Sequence, residues 1–269
     1  MLHRRGFLLA AAAMLAAWNA APAEEPLRLR VLTYNIHHGA GTDGRLDLER
    51  IAEVIKRQRP DVVALQEVDN GTRRTGGVDQ AAELGRLTKM HAAFGKAMDY
   101  DGGEYGEAVL SRVRPAAVTN HALPRAGGGE PRAALAVRLP LGEDGPEHVF
   151  VGTHLDHLSA DARQVQARLL VERLAKDADA PVILAGDLNA EPDSDVMKTL
   201  FEHWADAAAE SPKPTSPSAK PSVRIDYVLY RPAAAWRVVE VQVIDEPVAS
   251  DHCPVLAVLE WTPSKRREP

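Results

Sequence analysis

Apolar positions along the chain fall into short alternating runs and helical stripes that take turns. Residues 27–35 alternate and are rich in β-formers; Asp47 then opens a stretch in which Ile51, Val54 and Ile55 recur at helical spacing before Pro60. The same grammar repeats. Residues 62–68 read as a buried strand, 81–90 as a helix and 108–111 as a strand, and further strands are expected at 116–122, 133–139 and 149–154. Val165, Leu169 and Leu170 line one face of a helix over 162–176; residues 182–185 form a continuous apolar strand and 196–207 a helix. Three late strands cover 225–230, 236–244 and 255–261. Mixed α and β elements with hairpin-like neighbours predict an α/β (α+β) fold, with helices packed outside mixed, mostly antiparallel sheets. No repeat recurs at solenoid spacing. Residues 211–222, SPKPTSPSAKPS, are too rich in Pro and Ser to build a core and read as a flexible surface loop.

The first 23 residues do not fit this grammar. MLHRRGFLLAAAAMLAAWNAAPA has a charged start, an apolar run from Phe7 to Ala17 and small residues at Ala21 and Ala23, which is the anatomy of a secretory signal peptide cleaved after Ala23. The run is short for a bilayer span of about 20 residues. Arg4-Arg5-Gly6-Phe7-Leu8-Leu9 also resembles a twin-arginine export signal, so the expected location is periplasmic or secreted. Residues 24–269 then make one domain of 246 residues, long enough for a substantial core. With 30 basic and 38 acidic residues this mature chain carries −8, which argues against tight nonspecific nucleic-acid binding but leaves room for a phosphate substrate if metal ions supply positive charge. Hydrophobic and charged shares of 45% and 26% exclude a disordered tail, a collagen and a coiled coil. The one cysteine, Cys253, can form no internal disulfide and reads as a small buried strand residue.

The chemistry lies where strands stop. Asn35 ends the first strand, Glu67 closes VVALQEV, His154 closes VFVGTH, and Asp187 and Asn189 follow VILA. Asp226 stands near the start of IDYVLY, and Asp251 and His252 at the start of the last strand. In a sheet whose strands run both ways, the ends of some and the beginnings of others share a rim. Taken singly, GDLN is an ordinary turn sequence, and His37 and His38 read as structural or exposed. Taken together, two amides, one glutamate, two histidines and three aspartates at strand termini point to a single cleft.

The motifs LTYNIHHG (32–39), LQEV (65–68), YGEAVLSR (105–112), GTHLDH (152–157), GDLNAEP (186–192), RIDYV (224–228) and SDHCPV (250–255) resemble the endonuclease/exonuclease/phosphatase family over nearly the whole mature domain. The resemblance implies a four-layered α/β sandwich, two mixed sheets face to face with helices outside, and hydrolysis of phosphoester bonds with a divalent cation, Mg²⁺ or alternatively Mn²⁺. It makes Glu67 the principal metal ligand, supported by Asn35 and Asp251, all oxygen donors suited to a hard cation. It makes Asp187 and Asn189 the residues that orient water and hold the phosphoryl group. Asp226 becomes the carboxylate paired with His252, the best candidate for a base or a phosphate-stabilising cation, and His154 a second phosphate-facing histidine. Tyr105 matches a position near the scissile phosphate, and Arg132 lies where many members keep an arginine that braces the site. Glu107 departs from the pattern, since many members keep asparagine there, and a carboxylate would repel a phosphate unless it binds metal.

His154-Leu155-Asp156-His157 is similar to part of the HxHxDH signature of metallo-β-lactamase-like zinc hydrolases, but Gly152 stands where the first histidine is needed. A secreted nonspecific endonuclease and a noncatalytic binding protein that kept the fold are the remaining alternatives. The acidic balance weakens the nuclease, and the want of an apolar or aromatic insertion weakens a membrane-inserting sphingomyelinase. The leading expectation is a monomeric phosphodiesterase with no obligate protein partner, acting on a small molecule, a lipid headgroup or nucleic acid.

Overall fold

The computed structural model describes residues 26–262 apart from 127–128, 143–144 and 178–179. The signal peptide expected at residues 1–23 lies outside the described residues. Each helix starts where a short polar side chain can satisfy an orphan backbone N–H. Asp47 accepts from Arg50 N to open α1 (Leu48–Gln58), Asp79 from Ala82 N to open α2 (Gln80–Thr88), Ser159 from Ala162 N to open α3 (Ala160–Leu174), and Ser194 from Met197 N to open α4 (Asp195–Phe201).

Twelve described strands build two six-stranded sheets. The first has the order β11 (Trp236–Val243), β12 (Val255–Trp261), β1 (Arg28–Asn35), β2 (Val62–Asn70), β4 (Gly103–Ser111), β3 (His91–Tyr100). The second has β5 (Ala117–Leu123), β6 (Arg132–Pro140), β7 (Glu147–His154), β8 (Val182–Asp187), β10 (Asp226–Arg231), β9 (Ala205–Asp206). Each holds one parallel pair, β1 with β2 and β7 with β8, bridged by a crossover that contains α1 or α3; every other pairing is antiparallel.

Side-chain alternation sorts the core into three layers. On β1, Val31 points between the sheets with Phe150, Ile183 and Leu259, whereas Leu32 and Tyr34 point outward against Ile51 and Ile55 of α1. The outer face of the second sheet packs Leu170 and Leu174 of α3 and Met197 and Leu200 of α4. Helices, sheet, sheet and helices therefore stack as four layers, the sandwich that the motifs imply.

Three sequence expectations need correction. The strand β3 was not expected: it is an edge strand, mostly half-buried or exposed, and shows no apolar alternation. The helix expected over 196–207 stops at Phe201, because Trp204 turns into the core and Ala205–Asp206 pairs with β10. The Pro/Ser segment is docked at its centre rather than loose. Thr215 and Ser218 are buried, Cys253 N donates to Thr215 O, and Ser218 N donates to Asp251 O.

Candidate active site

The parallel pairs decide where the chemistry sits. The C-terminal ends of β1, β2, β7 and β8 reach one rim, and the antiparallel β10 and β12 begin there. Asn35, Glu67 and His252 come to that rim from the first sheet, and His154, Asp187, Asn189 and Asp226 from the second. Asn35 Nδ2 spans the gap, donating to Glu67 Oε1 at 3.0 Å and to Asp187 Oδ2 at 3.1 Å. His252 Nδ1 meets Asp226 Oδ2 at 3.0 Å and Oδ1 at 3.3 Å, and its Nε2 lies 3.7 Å from Asp187 Oδ2.

Backbone strain marks the same place. Seven non-glycine residues have left-handed φ among those described. Arg59 and Lys89 are helix C-caps and Asp101 turns the β3–β4 hairpin, the ordinary uses of this conformation. The other four, His37, His38, Glu67 and Asn189, all stand at the rim. Glu67 sits in a bulge, where the β2–β4 register slips between Leu65 and Val68. Bulges re-aim side chains, and strain of about 1–3 kcal/mol per residue persists where the surroundings over-determine it.

The electrostatics follow from burial. Burial and the neighbouring Asp226 push Asp187 up to about 7, against the pull of His252. Burial alone would lower His252, but the charge and hydrogen bond of Asp226 override it and raise the imidazole to about 10, so it is a cation at neutral pH. His154 is driven the other way, well below its ordinary value, by burial and by Arg132. Arg132, 2% exposed, donates from Nη1 to Tyr105 Oη (3.3 Å) and to His154 Nδ1 (3.2 Å), and from Nη2 to His157 Nδ1 (2.9 Å). A guanidinium only donates, so His154 Nδ1 faces a donor, and His154 Nε2 lies 3.5 Å from Asp187 Oδ2. The Asn189 amide packs 2.9 Å from that same Nε2.

Every expected site residue except Asp251 is tied into this network. Asp251 is half-buried beside His252, and its carboxylate accepts from Ser250 Oγ at 3.4 Å; among the described residues no hydrogen bond joins it to Glu67. Asp156 explains away the zinc-hydrolase signature, since its carboxylate accepts from the backbone N–H groups of Glu130, Leu158 and Ser159 and has a turn-forming role. Glu107 lies opposite the Glu67 bulge, fully buried, with both oxygens unpartnered; burial raises its carboxyl well above the usual range.

Five wall residues were not among the expected site residues: Arg74, Met98, Tyr100, Glu130 and His157. Arg74 is clamped to the buried Asp69 through Nε (2.6 Å) and Nη2 (2.7 Å) and stacks 4.6 Å over the Tyr100 ring. Its only sequence signal was an Arg-Arg pair shortly after LQEV. With Met98, Tyr105, Glu130, Arg132, His154, His157 and His252, Arg74 and Tyr100 line a cavity of about 310 Å³ over Glu67, Asp187 and Asn189. A larger cavity of about 890 Å³ beside Trp204 and Val239 lies away from this chemistry, and its buried ion pair, Asp206 with Arg224, is already satisfied.

A divalent cation fits the donors present. Glu67, Glu107, Asp187 and Asp226 crowd together at depth against two cations, Arg132 and His252, and the Glu107 oxygens have nothing to bond. Such an excess of buried carboxyl oxygen is what a hard cation neutralises.

The model of the family described as Endonuclease/Exonuclease/phosphatase matches residues 32–252. No curated protein matches the sequence. Among solved structures, an endonuclease/exonuclease/phosphatase family protein of Bacteroides thetaiotaomicron superposes with a TM-score of 0.75 at 20% identity, over 88% of this chain and 99% of that one. A mannosyl-6-phosphatase of the same organism gives 0.73 at 19%, over 86% and 99%. An endonuclease/exonuclease/phosphatase of Beutenbergia cavernae gives 0.70 at 28%, over 87% and 72%.

Proposed function

The chain belongs to the endonuclease/exonuclease/phosphatase family, whose members hydrolyse phosphoester bonds, and from that premise we propose that it is a divalent-metal-dependent phosphodiesterase working by in-line attack of water. The observation that carries the reading is the Asp226–His252 pair set beside Asp187 at the floor of a small cavity walled by two arginines.

The imidazolium of His252 and the guanidinium of Arg132 face the charge that builds on phosphoryl oxygens in the transition state. Asp187 is a carboxylate above pH of about 7 and orients the attacking water, accepting its proton. His154, kept neutral by burial and by Arg132, and the Asn189 amide hold the phosphoryl group. Glu67, with Asn35 and Asp251, would hold the cation, Mg²⁺ or Mn²⁺, which when bound supplies charge neutralisation at the phosphate and the leaving oxygen.

A cavity of about 310 Å³ suits a compact phosphoester better than a duplex. A sugar-phosphate monoester is the second reading, favoured by the two-arginine wall and by the fold neighbour named as a mannosyl-6-phosphatase. We propose further that it works as a monomer outside the cytoplasm, in the periplasm or secreted.

The test is hydrolysis of bis-(p-nitrophenyl) phosphate and p-nitrophenyl phosphate by residues 24–269 with Mg²⁺, Mn²⁺, Zn²⁺ or EDTA, alongside His252→Ala. Metal-dependent diester turnover lost in the variant is expected. Turnover that survives EDTA, or is unchanged in His252→Ala, refutes the mechanism; a preference for the monoester selects the second reading.

A further inference from the structure

Glu67 has a second set of neighbours, in the loop that follows β1. His37, His38 and Glu67 each offer one ligand atom, and these atoms lie within 4.8 Å of one another. All three residues are half-buried, and all three hold left-handed backbone, with φ of 47°, 45° and 58°. The loop is built to keep them there. Asn35 Oδ1 accepts from His37 N at 3.0 Å, Gln80 Nε2 donates to His38 O at 2.7 Å, and Gly39 follows with φ of 80° where a Cβ would come within 2.9 Å of Leu48 Cδ2.

The rings are prepared as well as placed. His37 Nδ1 sits 3.2 Å from Ala40 O, so that nitrogen carries the proton and Nε2 keeps its lone pair, the device by which ligating imidazoles are oriented. His38 Nδ1 is buried with no hydrogen-bond partner, a rare state for a ring nitrogen. The two rings meet edge to face with centroids 4.5 Å apart. None of this serves the phosphoryl-facing network of His154, Asp187 and His252.

We infer that His37, His38 and Glu67 form a mixed nitrogen–oxygen site that takes a borderline divalent transition-metal ion, Zn²⁺, in preference to Mg²⁺. Imidazole nitrogen favours such ions, whereas Mg²⁺ favours oxygen donors alone. Ligand bonds of about 2.0–2.2 Å place tetrahedral donors about 3.3 Å apart, so donors that already lie within 4.8 Å of one another need close by no more than about 1.5 Å. The inference extends the proposed function by choosing the ion, but its donors can be tested without turnover.

The chelator-stripped chain is titrated with Zn²⁺ by calorimetry and with Mn²⁺ by electron spin echo, which reads nitrogen coupled to the ion. His37→Asn and His38→Asn are the variants, because asparagine tolerates left-handed backbone and spares the loop; His91→Asn on β3 is the control. One Zn²⁺ per chain is expected, held more tightly than Mg²⁺, at least tenfold more weakly in each loop variant and unchanged in the control. Nitrogen coupling to Mn²⁺ should fall in each loop variant. Zn²⁺ binding equal to wild type in both loop variants, Mg²⁺ binding tighter than Zn²⁺, or Mn²⁺ without nitrogen coupling overturns the inference. A chain that binds Zn²⁺ through both imidazoles yet cleaves no phosphoester would sink the phosphodiesterase reading and leave this one standing.

Discussion

Replacing Asp226 by asparagine removes the largest of the charges that raise His252 and the one that hydrogen-bonds its Nδ1. In the wild type the imidazole stands at about 10 against an ordinary 6.5. At 1.36 kcal/mol per pH unit that gap amounts to roughly 5 kcal/mol favouring the charged form. His252 is 7% exposed, so water screens little of it. Because the folded value is raised, the stabilisation is complete below pH 6.5 and drains away as pH climbs toward 10. In Asp226→Asn burial prevails, and the imidazole should titrate below 6.5 and be neutral at pH 7. Proton–nitrogen NMR of labelled histidine reads the titration directly, and chemical denaturation from pH 6 to 10 reads the linkage: the wild type should lose stability across that window, and the variant should lose far less. On the functional side, the alkaline limb of the pH–rate profile should move from near 10 to below 7, with kcat/KM at pH 8 down about 10²–10³-fold for the loss of one fixed cationic donor. A wild-type His252 that titrates near 6.5, or a substitution that moves it by less than one pH unit, refutes the reasoning.

Asp187, raised to about 7, is the carboxylate needed to accept a proton, so activity should fall as pH drops through 7; Asp187→Asn should remove that limb and lower kcat about 10²–10⁴-fold in the same rate profile. Arg74→Met strands the fully buried Asp69 with only Thr72 Oγ1 and the Gln80-bound backbone around it, and because Arg74 is itself partly exposed the cost should be about 2–3 kcal/mol rather than the full buried-pair penalty, measured by urea denaturation. Thr215→Val takes away the hydroxyl that accepts from Ile225 N and Asp226 N, leaving buried donors unpaired; a loss of about 2 kcal/mol is expected, and a melting temperature equal to wild type would count against a structural role for the Pro/Ser segment.

Most of the site could be read in the chain because its members end or begin strands whose cores are unmistakable. Asn35, His154 and Asp187 close runs of buried residues, and the direction of those runs sends them to one rim. What could not be read was set by contacts between sheets or by features without periodicity. Glu107 becomes a buried floor residue only because the second sheet covers it, and Arg74 becomes a wall only because Asp69 is buried behind it and Tyr100 lies beneath it. The edge strand β3 carries no alternation, since few of its positions face a core. The Pro/Ser segment looked loose by composition, yet backbone hydrogen bonds to β12's approach and to Val223, which composition does not register, hold Thr215 and Ser218 in place.

The contacts that matter at the rim run between the sheets. Asn35 reaches from one sheet to Asp187 on the other, His252 to Asp226, and Tyr105 to Arg132. Neither sheet carries a working half of its own, so the reacting geometry is a readout of how the two halves of the sandwich slide and tilt against each other. A cavity opened far below the rim, at Phe150 or Val31 in the layer between them, would let that alignment drift by tenths of an ångström before any strand melts. Turnover should therefore fade on heating ahead of the spectroscopic transition, and second-site suppressors of such core lesions should cluster in the opposing sheet rather than around the catalytic groups.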